Sequence, residues 1–413
     1  MRIHRRAFLG MAAAAPFVRA QRSQGGAQYP VPDVIRKLKP MTDGIQRITD
    51  EDRHARIAKA QSLMREHKIG ALVLESGTSM FYFTGTRGVA GDRLFALVLP
   101  AKGDPAWVVP AAEGGRVHGD VRSWAEGGNP YQLVIQVLKD RGASGAVGIE
   151  ERVRFAVFDG LRQEAPPLEF VSGDPVTVGC RVIKSPAEIA LLQRANDVTI
   201  AAYKAAFSTL YDGMDQRELS AHIDAAYAAL GFRGGAMVIF GKYTAFPHGS
   251  IQPQKLKEGD FVLVDDGCTV EGYQSDITRT VIFGQPTARQ RQVWDLERKA
   301  QDAALAAAQV GATCESVDAA ARKVITDAGF GPGYKVPGLP HRTGHGIGLD
   351  GHEWTYLVKG NKTRLQPGMC FSNEPTISIY GEFGVRLEDC MYITASGARM
   401  FTKQSPAIDQ PFG

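Results

Sequence analysis

The sequence predicts a chain of two parts, an α+β C-terminal domain preceded by a smaller α/β domain. A length of 413 residues leaves room for two hydrophobic cores. Helical patterns alternate with short apolar runs up to about residue 180, as in an α/β domain. Beyond that point, helices are mixed with pairs of strands joined by short turns, as in an α+β domain.

The bulk composition is that of a soluble globular protein. Hydrophobic residues make up 44% of the chain and charged residues 22%. The formal net charge is only +4, and the lysines and arginines are spread along the chain. This distribution gives no reason to expect nucleic acid or a membrane as a partner.

The first twenty residues, MRIHRRAFLGMAAAAPFVRA, have the layout of an export signal. A basic start precedes an apolar run from Phe8 to Val18, and small residues mark a cleavage site after Ala20. The run is too short to span a bilayer as a mature helix. Arg5 and Arg6, followed by AFL, resemble a twin-arginine signal; the alternatives are an ordinary secretory signal and a basic N-terminal helix. No lipid-attachment cysteine follows, so we expect a periplasmic or secreted protein.

The N-terminal α/β domain is assigned to residues 46–180, behind a lead-in segment, 21–45, that lacks periodicity. Helical periodicity runs from Glu51 to Lys68. Strands are predicted for ALVLES (71–76), LFALVLP (94–100) and AWVVPA (106–111), and the alternation continues to AVGIEE near residue 150.

The C-terminal domain, residues 181–413, opens with a strong helix signal. Ser185 is the predicted N-cap, Pro186 the first helical residue, and Glu188 completes a capping box. Later helices are marked by Asp215, Glu218 and the stop at Gly231, by Thr287, and by the stretch 315–328. Strands are predicted at 237–240, 261–265, 273–283, 369–376 and 385–394.

The cysteines are odd in number and scattered, with no CxxC pair. They are therefore predicted to be small buried hydrophobes, not a disulfide framework or a thiolate metal site. The five are Cys180, Cys268, Cys314, Cys370 and Cys390.

Two acidic residues are predicted to face each other across a first hairpin, FVLVDDGCTVEGYQSDITRTVIFG (261–284). A reversal near Val270–Gly272 places Asp265 and Asp276 almost opposite each other on one face. Like charges in that position are destabilising unless a cation lies between them. The alternative is that one carboxylate points to solvent or caps a turn. Tyr273, beside the turn, is interpreted as strand filler and not as a hydrogen-bond donor.

A second hairpin, FSNEPTISIYGEFGVRLEDCMYIT (371–394), repeats the arrangement. Glu374 and Glu388 are fourteen residues apart, with a reversal near Tyr380–Glu382, so they too are predicted to face each other. Arg386 lies two residues before Glu388 and shares its face.

Three histidines occur within twelve residues in HRTGHGIGLDGHEW (341–354). The i, i+4 spacing of His341 and His345 would suit a helical metal site. However, four interleaved glycines each cost a helix interior roughly 1 kcal/mol. The stretch is therefore predicted to be extended or turning, with its backbone close to other groups.

Four carboxylates and an imidazole are predominantly hard ligands, which suit Mn, Fe, Co or Zn better than thiolate-seeking metals. Two divalent ions carry four positive charges, which four carboxylates neutralise. A water or hydroxide that bridges the ions is then poised as a nucleophile. The two acidic pairs and the histidine tract thus predict a metal centre in the C-terminal domain.

These motifs resemble those of the metallopeptidase family with the pita-bread fold, which includes methionine aminopeptidase, Xaa-Pro aminopeptidase and prolidase, with creatinase as a relative. The resemblance covers most of the mature chain and implies a pita-bread catalytic domain behind a creatinase-type N-terminal domain. It rests on VDDGCTVEGYQSDITRT (264–280), GHGIGLDGHE (344–353), NEP (373–375), VRLED (385–389), YFTG (82–85) and the RVIKSPAEI junction (181–189).

The resemblance also implies individual roles. The implied ligands of two metal ions are Asp265, Asp276, His345, Glu374 and Glu388, with Asp276 and Glu388 bridging. His248, in FPHGS, matches a histidine that approaches the substrate across the cleft, and His352 matches one that hydrogen-bonds the reacting carbonyl oxygen. Glu374 doubles as a proton shuttle.

Two further residues, His341 and Arg386, match positions near the substrate pocket of proline-directed members. A structural imidazole is the alternative for each histidine. The sequence departs from the family pattern at Asp266, where a small or apolar residue is frequent, and at Arg342, where glycine is common. Both departures could narrow or charge the pocket.

The implied function is that of an Xaa-Pro aminopeptidase, a metal-dependent exopeptidase that hydrolyses the Xaa-Pro bond at the N-terminus of peptides through a metal-bridged hydroxide. An Xaa-Pro dipeptidase (prolidase) is the alternative; more distant ones are a creatinase-like hydrolase or lyase and a silent peptide binder. The implied cofactors are two divalent ions, manganese first and then Co, Zn or Fe. The implied partner is a peptide with proline at its second position, and a homo-oligomer (dimer or tetramer) is expected.

Overall fold

The computed structural model describes residues 29–89 and 91–412. Val31–Gly413 forms one compact unit. The predicted signal peptide (1–20) lies outside the described residues. Within the described ranges, no helix combines the length and the apolar composition needed to cross a lipid bilayer.

The N-terminal part of the fold is an α/β arrangement, as predicted. Its helices are α1 (Asp33–Arg36), α2 (Asp50–Glu66), α3 (Thr78–Thr84), α4 (Pro130–Asp140), α5 (Phe155–Glu164) and α6 (Asp174–Arg181). Its strands are β1 (Ile69–Glu75), β2 (Ala96–Pro100), β3 (Ala106–Pro110), β4 (Asp120–Trp124), β5 (Ala146–Ile149) and β6 (Phe170–Ser172). They form one mixed sheet in the order β4-β3-β2-β1-β5-β6.

Strand β1 lies inside this sheet, and all seven of its residues are buried. It runs antiparallel to β2 and parallel to β5. Helix α2 starts one residue before the predicted position because Thr49 and Asp52 form a capping box, in which each side chain accepts a hydrogen bond from the other's backbone N–H.

The C-terminal part mixes four helices with short antiparallel strands. The helices are α7 (Pro186–Phe207), α8 (Gln216–Leu230), α9 (Ala288–Ala307) and α10 (Cys314–Asp327). The strands are β7 (Arg233–Gly234), β8 (Met237–Phe240), β9 (Phe261–Asp266), β10 (Cys268–Val270), β11 (Tyr273–Gln274), β12 (Ile277–Ile282), β13 (Gly344–Gly346), β14 (Glu353–Leu357), β15 (Cys370–Asn373), β16 (Thr376–Ile379), β17 (Phe383–Arg386), β18 (Asp389–Thr394) and β19 (Gly397–Met400).

The predicted helix boundaries are confirmed where a local signal marked them. Ser185 and Glu188 form the predicted capping box around Pro186 at the start of α7. Asp215 caps α8, and Gly231 ends it with a φ of 91°, a left-handed conformation that glycine adopts without steric cost.

The last part of the predicted lead-in is packed, not loose. Ile35 is fully buried, and the Met41 N–H donates to the Leu230 carbonyl at 2.9 Å. Arg194 of α7 in turn donates to the Met41 carbonyl at 2.9 Å. From Val31 onward, this segment therefore lies against α7 and α8.

The interpretation of Tyr273 as strand filler is wrong. Its hydroxyl donates to Glu188 at 2.8 Å and accepts from Arg56 at 2.8 Å, in a buried contact between the two parts of the fold. A buried tyrosine hydroxyl needs such partners. The prediction for the cysteines is confirmed, because all five are free and buried.

Candidate active site

The first ligand-bearing hairpin consists of β9 and β12. Asp265 pairs with Thr278, and Asp276 lies just before β12, so the two carboxylates share a face as diagonal neighbours. We predicted that Asp276 would lie almost opposite Asp265. In the structure, the residue opposite Asp265 is Thr278, two residues further along the chain. The reason is a two-residue turn at Glu271–Gly272, whose φ angles of 48° and 93° are both positive, as a type I′ turn requires.

The second hairpin matches its prediction in register. Asn373 pairs with Asp389 at the end of the β15–β18 ladder, and the β16–β17 ladder continues three residues later in the same register. Glu374 and Glu388 lie between the two ladders and are therefore opposite each other. The chain thus presents two carboxylates from each of two hairpins.

The histidine tract is extended, as predicted. His345 lies in β13, which pairs with β14, and the register shifts after His345. His352 immediately precedes β14, and its ring stacks on that of His345 with centroids 3.8 Å apart. The glycines permit close approach: a Cβ on Gly344 would lie 2.2 Å from the carbonyl oxygen of Ser372.

These elements surround one cavity of about 360 Å³ that contains every site residue predicted from the sequence. The lining residues are Pro247, His248, Asp265, Asp276, His341, Arg342, His345, His352, Glu374, Arg386 and Glu388. Asp266, the first departure from the family pattern, is not among the described lining residues; Arg342, the second, is.

The carboxylates form two overlapping clusters. Ligand atoms of Asp265, Asp276 and Glu388 all lie within 4.8 Å of one another, as do those of His345, Glu374 and Glu388. Burial and the neighbouring carboxylates hold the pKa values of Asp276 and Glu388 well above the usual range, and burial raises the pKa of Glu374 to about 7. This concentration of negative charge requires compensation.

The compensation within the chain is incomplete. Arg386 pairs with Asp265, and its Nε donates to the Thr278 hydroxyl at 3.0 Å. That hydroxyl lies 2.5 Å from Asp265 Oδ1 and 2.6 Å from Glu388 Oε2, but it has one proton and can donate to only one of them. Glu388 Oε1 is buried and has no hydrogen-bond partner among residues 29–89 and 91–412.

The imidazole of His345 is oriented as a ligand. Its Nδ1 lies 3.0 Å from the Gly346 carbonyl, which fixes the proton on Nδ1 and leaves the lone pair on Nε2. Nε2 points at carboxylate oxygens, 3.2 Å from Glu374 and 3.5 Å from Asp276. Burial and the nearby His352 keep the pKa of His345 well below its usual value, so the ring is neutral.

Three features of the cavity fit divalent cations. The His345 lone pair points at carboxylates, one Glu388 oxygen lacks a partner among the described residues, and four acids face one arginine, Arg386. Oxygen ligands with one imidazole suit Mn, Co, Zn or Fe. The structure thus brings the five predicted ligands together around one cavity.

His352 and Arg342 line the cavity and contact each other. Arg342 Nη2 lies 2.7 Å from His352 Nδ1. Because a guanidinium can only donate, Nδ1 accepts and the remaining proton of the neutral ring is on Nε2. Burial and the Arg342 charge lower the pKa of His352, which favours this neutral form. His248 is an exposed residue on the cavity wall, next to Pro247.

The two predicted substrate-binding residues also line the cavity, but both have protein partners. His341 Nδ1 lies 2.7 Å from the Arg342 carbonyl, and its Nε2 lies 3.0 Å from the Thr376 hydroxyl. Burial and the Arg386 charge lower the pKa of His341 to about 3, so it is neutral. The Arg386 Nη1 donates to the Pro247 carbonyl at 2.9 Å.

The contact of the Thr278 hydroxyl with acids of two different hairpins was not predicted from the sequence. The available signal was a polar side chain on β12, two residues after Asp276 and on the same face. Arg342 was predicted only as a departure from the family pattern. The guanidinium lies over the Tyr356 ring at 4.4 Å, and no ion pair of Arg342 occurs among the described residues.

Comparison with known proteins adds two family matches. Residues 190–395 match the model of metallopeptidase family M24, and residues 56–183 match that of the creatinase/prolidase N-terminal domain. The chain is 36% identical over 366 residues to a probable dipeptidase PepE of Mycobacterium tuberculosis, covering 86% of this chain and 96% of that one.

Two further relatives extend the comparison. An Xaa-Pro dipeptidase of Lactobacillus helveticus is 33% identical over 359 residues, which cover 83% of this chain and 95% of the relative. The crystal structure of dipeptidase PepE from Mycobacterium ulcerans superposes with a TM-score of 0.81 at 32% identity, covering 89% of this chain and all (100%) of that one.

Proposed function

Because the chain belongs to metallopeptidase family M24, with a creatinase-type N-terminal domain and the pita-bread fold, we propose that it is an Xaa-Pro dipeptidase. The observation that carries the choice of dipeptides is Arg342, a cavity-lining cation with no carboxylate partner among the described residues. It is suited to pair with the free carboxylate of a dipeptide substrate. The names of the relatives favour the same activity.

We propose that Asp265, Asp276, His345, Glu374 and Glu388 would hold two divalent ions. Manganese is the preferred ion, with Co, Zn or Fe as alternatives. When bound, such ions polarise a substrate carbonyl and acidify water.

Glu374 is suited to move a proton. Its carboxylate lines the cavity, where it would accept a proton from water and return it to the leaving nitrogen. The Ser372 hydroxyl donates to Glu374 Oε1 at 3.1 Å and so orients the carboxylate.

His352 is suited to stabilise negative charge on the reacting carbonyl oxygen. The contact with Arg342 leaves its Nε2–H as the free donor. His248 would contribute from the opposite wall. His341, neutral and fixed at both ring nitrogens, would shape the pocket that receives the proline ring.

The substrate series that tests this proposal changes only the C-terminal end. Metal-free protein is loaded with Mn²⁺, Co²⁺ or Zn²⁺ and given Ala-Pro, Ala-Pro-amide, Ala-Pro-Ala, Ala-Ala and creatine. We expect Ala-Pro to be cleaved, with kcat/KM for the amide at least about tenfold lower, which corresponds to about 1.4 kcal/mol. Faster cleavage of Ala-Pro-Ala identifies an aminopeptidase; turnover of creatine alone identifies a creatinase-like enzyme. Absence of any cleavage overturns the proposal.

We also propose that the first twenty residues direct export by the twin-arginine route. The support is the sequence alone, RRAFL followed by a short apolar run. A fusion of residues 1–30 to a reporter should appear in the periplasm and be retained in the cytoplasm by Arg5→Lys/Arg6→Lys. A homo-oligomer is also proposed, and light scattering on the purified protein tests it.

A further inference from the structure

Glu353 follows His352 directly in the sequence, but the two side chains point in opposite directions. His352 is exposed to the cavity, whereas Glu353 is 6% exposed. Its carboxylate accepts from the Leu349 N–H at 2.9 Å and from the Asp350 N–H at 3.2 Å. It therefore closes the loop that connects β13 to β14 from inside.

The carboxylate of Glu353 is fixed by two buried cations from the junction between the two parts of the fold. Lys184 Nζ lies 2.8 Å from Oε2, and Arg181 Nη2 pairs with Oε1. Although burial alone would raise it, Lys184 and Arg181 lower the pKa of Glu353 to about 2, so the group stays ionised. All three side chains are at least nine-tenths buried.

Asp350 anchors the same loop a second time. Its Oδ2 accepts from Arg181 at 2.7 Å, and its Oδ1 accepts from the Thr78 hydroxyl at 2.7 Å. Arg152 also pairs with Asp350 Oδ1, at 3.3 Å, so the two buried anions contact three cations. The fit is close, since a Cβ on Gly348 would lie 2.7 Å from a Glu353 carboxylate oxygen.

Two contacts with described residues orient the His352 ring. It stacks on His345 and accepts a hydrogen bond from Arg342, and both contacts depend on where the His352 backbone lies. That backbone is attached to Glu353. A satisfied buried ionic network is rigid, and leaving one member unpaired disturbs all the others.

We propose that Glu353 is a positioning residue for catalysis: clamped by Lys184 and Arg181, it fixes the backbone of His352 so that the imidazole faces the reacting carbonyl. The inference rests on the peptidase activity proposed above. Lys184 and Arg181, at the junction between the two parts of the fold, would thus influence catalysis without contacting the substrate.

A double-mutant cycle tests this inference. The variants are Glu353→Gln, His352→Ala and their combination, assayed with Mn²⁺ and Ala-Pro. We expect Glu353→Gln to lower kcat about tenfold or more with KM within about twofold, because an interaction made only in the transition state is lost. In the His352→Ala background, the same substitution should change kcat by less than about twofold.

Glu75→Gln is the matched control. Glu75 is also 6% exposed and paired with an arginine, Arg154, but its hydrogen bonds lie within the N-terminal part. It should lower the unfolding temperature as Glu353→Gln does while leaving kcat unchanged. Manganese stoichiometry should be the same in wild type, Glu75→Gln and Glu353→Gln.

The outcomes separate the two claims. If the wild type cleaves no Xaa-Pro peptide, the proposed function fails. Suppose that the wild type cleaves Ala-Pro. Only the positioning role then fails if Glu353→Gln leaves kcat unchanged, as Glu75→Gln should. It fails equally if Glu353→Gln lowers kcat by the same factor in the wild-type and His352→Ala backgrounds. Should Glu353→Gln not fold, Lys184→Gln removes the cation that contacts Glu353 Oε2 and is run through the same cycle. An unchanged kcat in that variant overturns the inference.

Discussion

Arg279 and Asp389 form an ion pair of 2.7 Å in which neither side chain is exposed to solvent. The same guanidinium donates to the carbonyl of Glu388 at 2.9 Å and to that of Thr278 at 3.1 Å. One arginine therefore connects the hairpin that carries Asp276 to the hairpin that carries Glu388. This cross-link acts with the Glu388 N–H to Thr278 carbonyl hydrogen bond of 3.2 Å to hold the two pairs of carboxylates in position.

We predict that Asp389→Asn destabilises the protein by about 3–5 kcal/mol, because it leaves the buried Arg279 charge unpaired. It should also weaken manganese binding, since one of the contacts between the two hairpins is lost. Urea unfolding and manganese titration measure the two effects. Glu75→Gln, a buried acid remote from the hairpins, should affect stability only. Unaltered manganese affinity in Asp389→Asn would count against the cross-link.

The hydroxyl of Thr278 gives a second prediction. Thr278→Val keeps the shape of the side chain but removes the group between Asp265 and Glu388. We expect manganese affinity to fall about 10- to 100-fold, as is typical when a group behind a metal ligand is lost. Calorimetric titration measures the affinity.

Thr280→Val is the matched control on the same strand. The Thr280 hydroxyl is equally buried, but it bonds the backbone of Arg386 and not a ligand carboxylate. It should therefore lower stability without lowering manganese affinity. Equal affinities in the two variants would exclude a role for Thr278 in the metal centre.

Buried Glu150 predicts a pH dependence of stability. It is 3% exposed, and burial raises its pKa from 4.5 to about 7. Since the folded state holds the proton more tightly, the stabilisation is fully present below pH 4.5 and is lost as the pH rises through 7. Between pH 5 and pH 8, wild type should lose up to ~3 kcal/mol relative to Glu150→Gln. Parallel urea-unfolding profiles of the two proteins would show that Glu150 does not titrate in this way.

Substrate choice should depend on Arg342. Arg342→Gln should lower kcat/KM for Ala-Pro about tenfold or more beyond any loss with Ala-Pro-amide, because only the dipeptide offers a carboxylate to the lost charge, whereas the lost hydrogen bond to His352 affects both substrates alike. Arg342→Lys should retain part of the preference for the dipeptide. If both substrates lose activity equally, Arg342 acts through His352 alone.

The features that the sequence predicted well are local ones. The capping box at Ser185 and the stop at Gly231 involve residues within one turn of the helix end, so their signals can be read directly from the chain. The opposition of Glu374 and Glu388 followed from a reversal centred on Gly381. The offset of Asp276 from Asp265 could not be predicted in the same way. It depends on the length of the turn, and both residues of that turn, Glu271 and Gly272, adopt positive φ angles.

The features that could not be predicted connect distant parts of the chain. Arg181 and Asp350 are 169 residues apart, and Thr78 and Asp350 are 272 apart. No spacing rule relates such residues, since their contact depends on how the two parts of the fold pack. The hydrogen bonds of Tyr273 belong to the same class, which is why it was interpreted as filler.

The proposed activity requires that acids from two hairpins and one imidazole hold a pair of divalent ions. Equilibrium dialysis of metal-free protein against Mn²⁺, with elemental analysis, measures how many ions each chain binds. We predict two ions per chain for wild type and no more than one for Glu388→Gln and for Asp276→Asn. A wild type that binds no manganese, or variants that still bind two ions, would contradict the account.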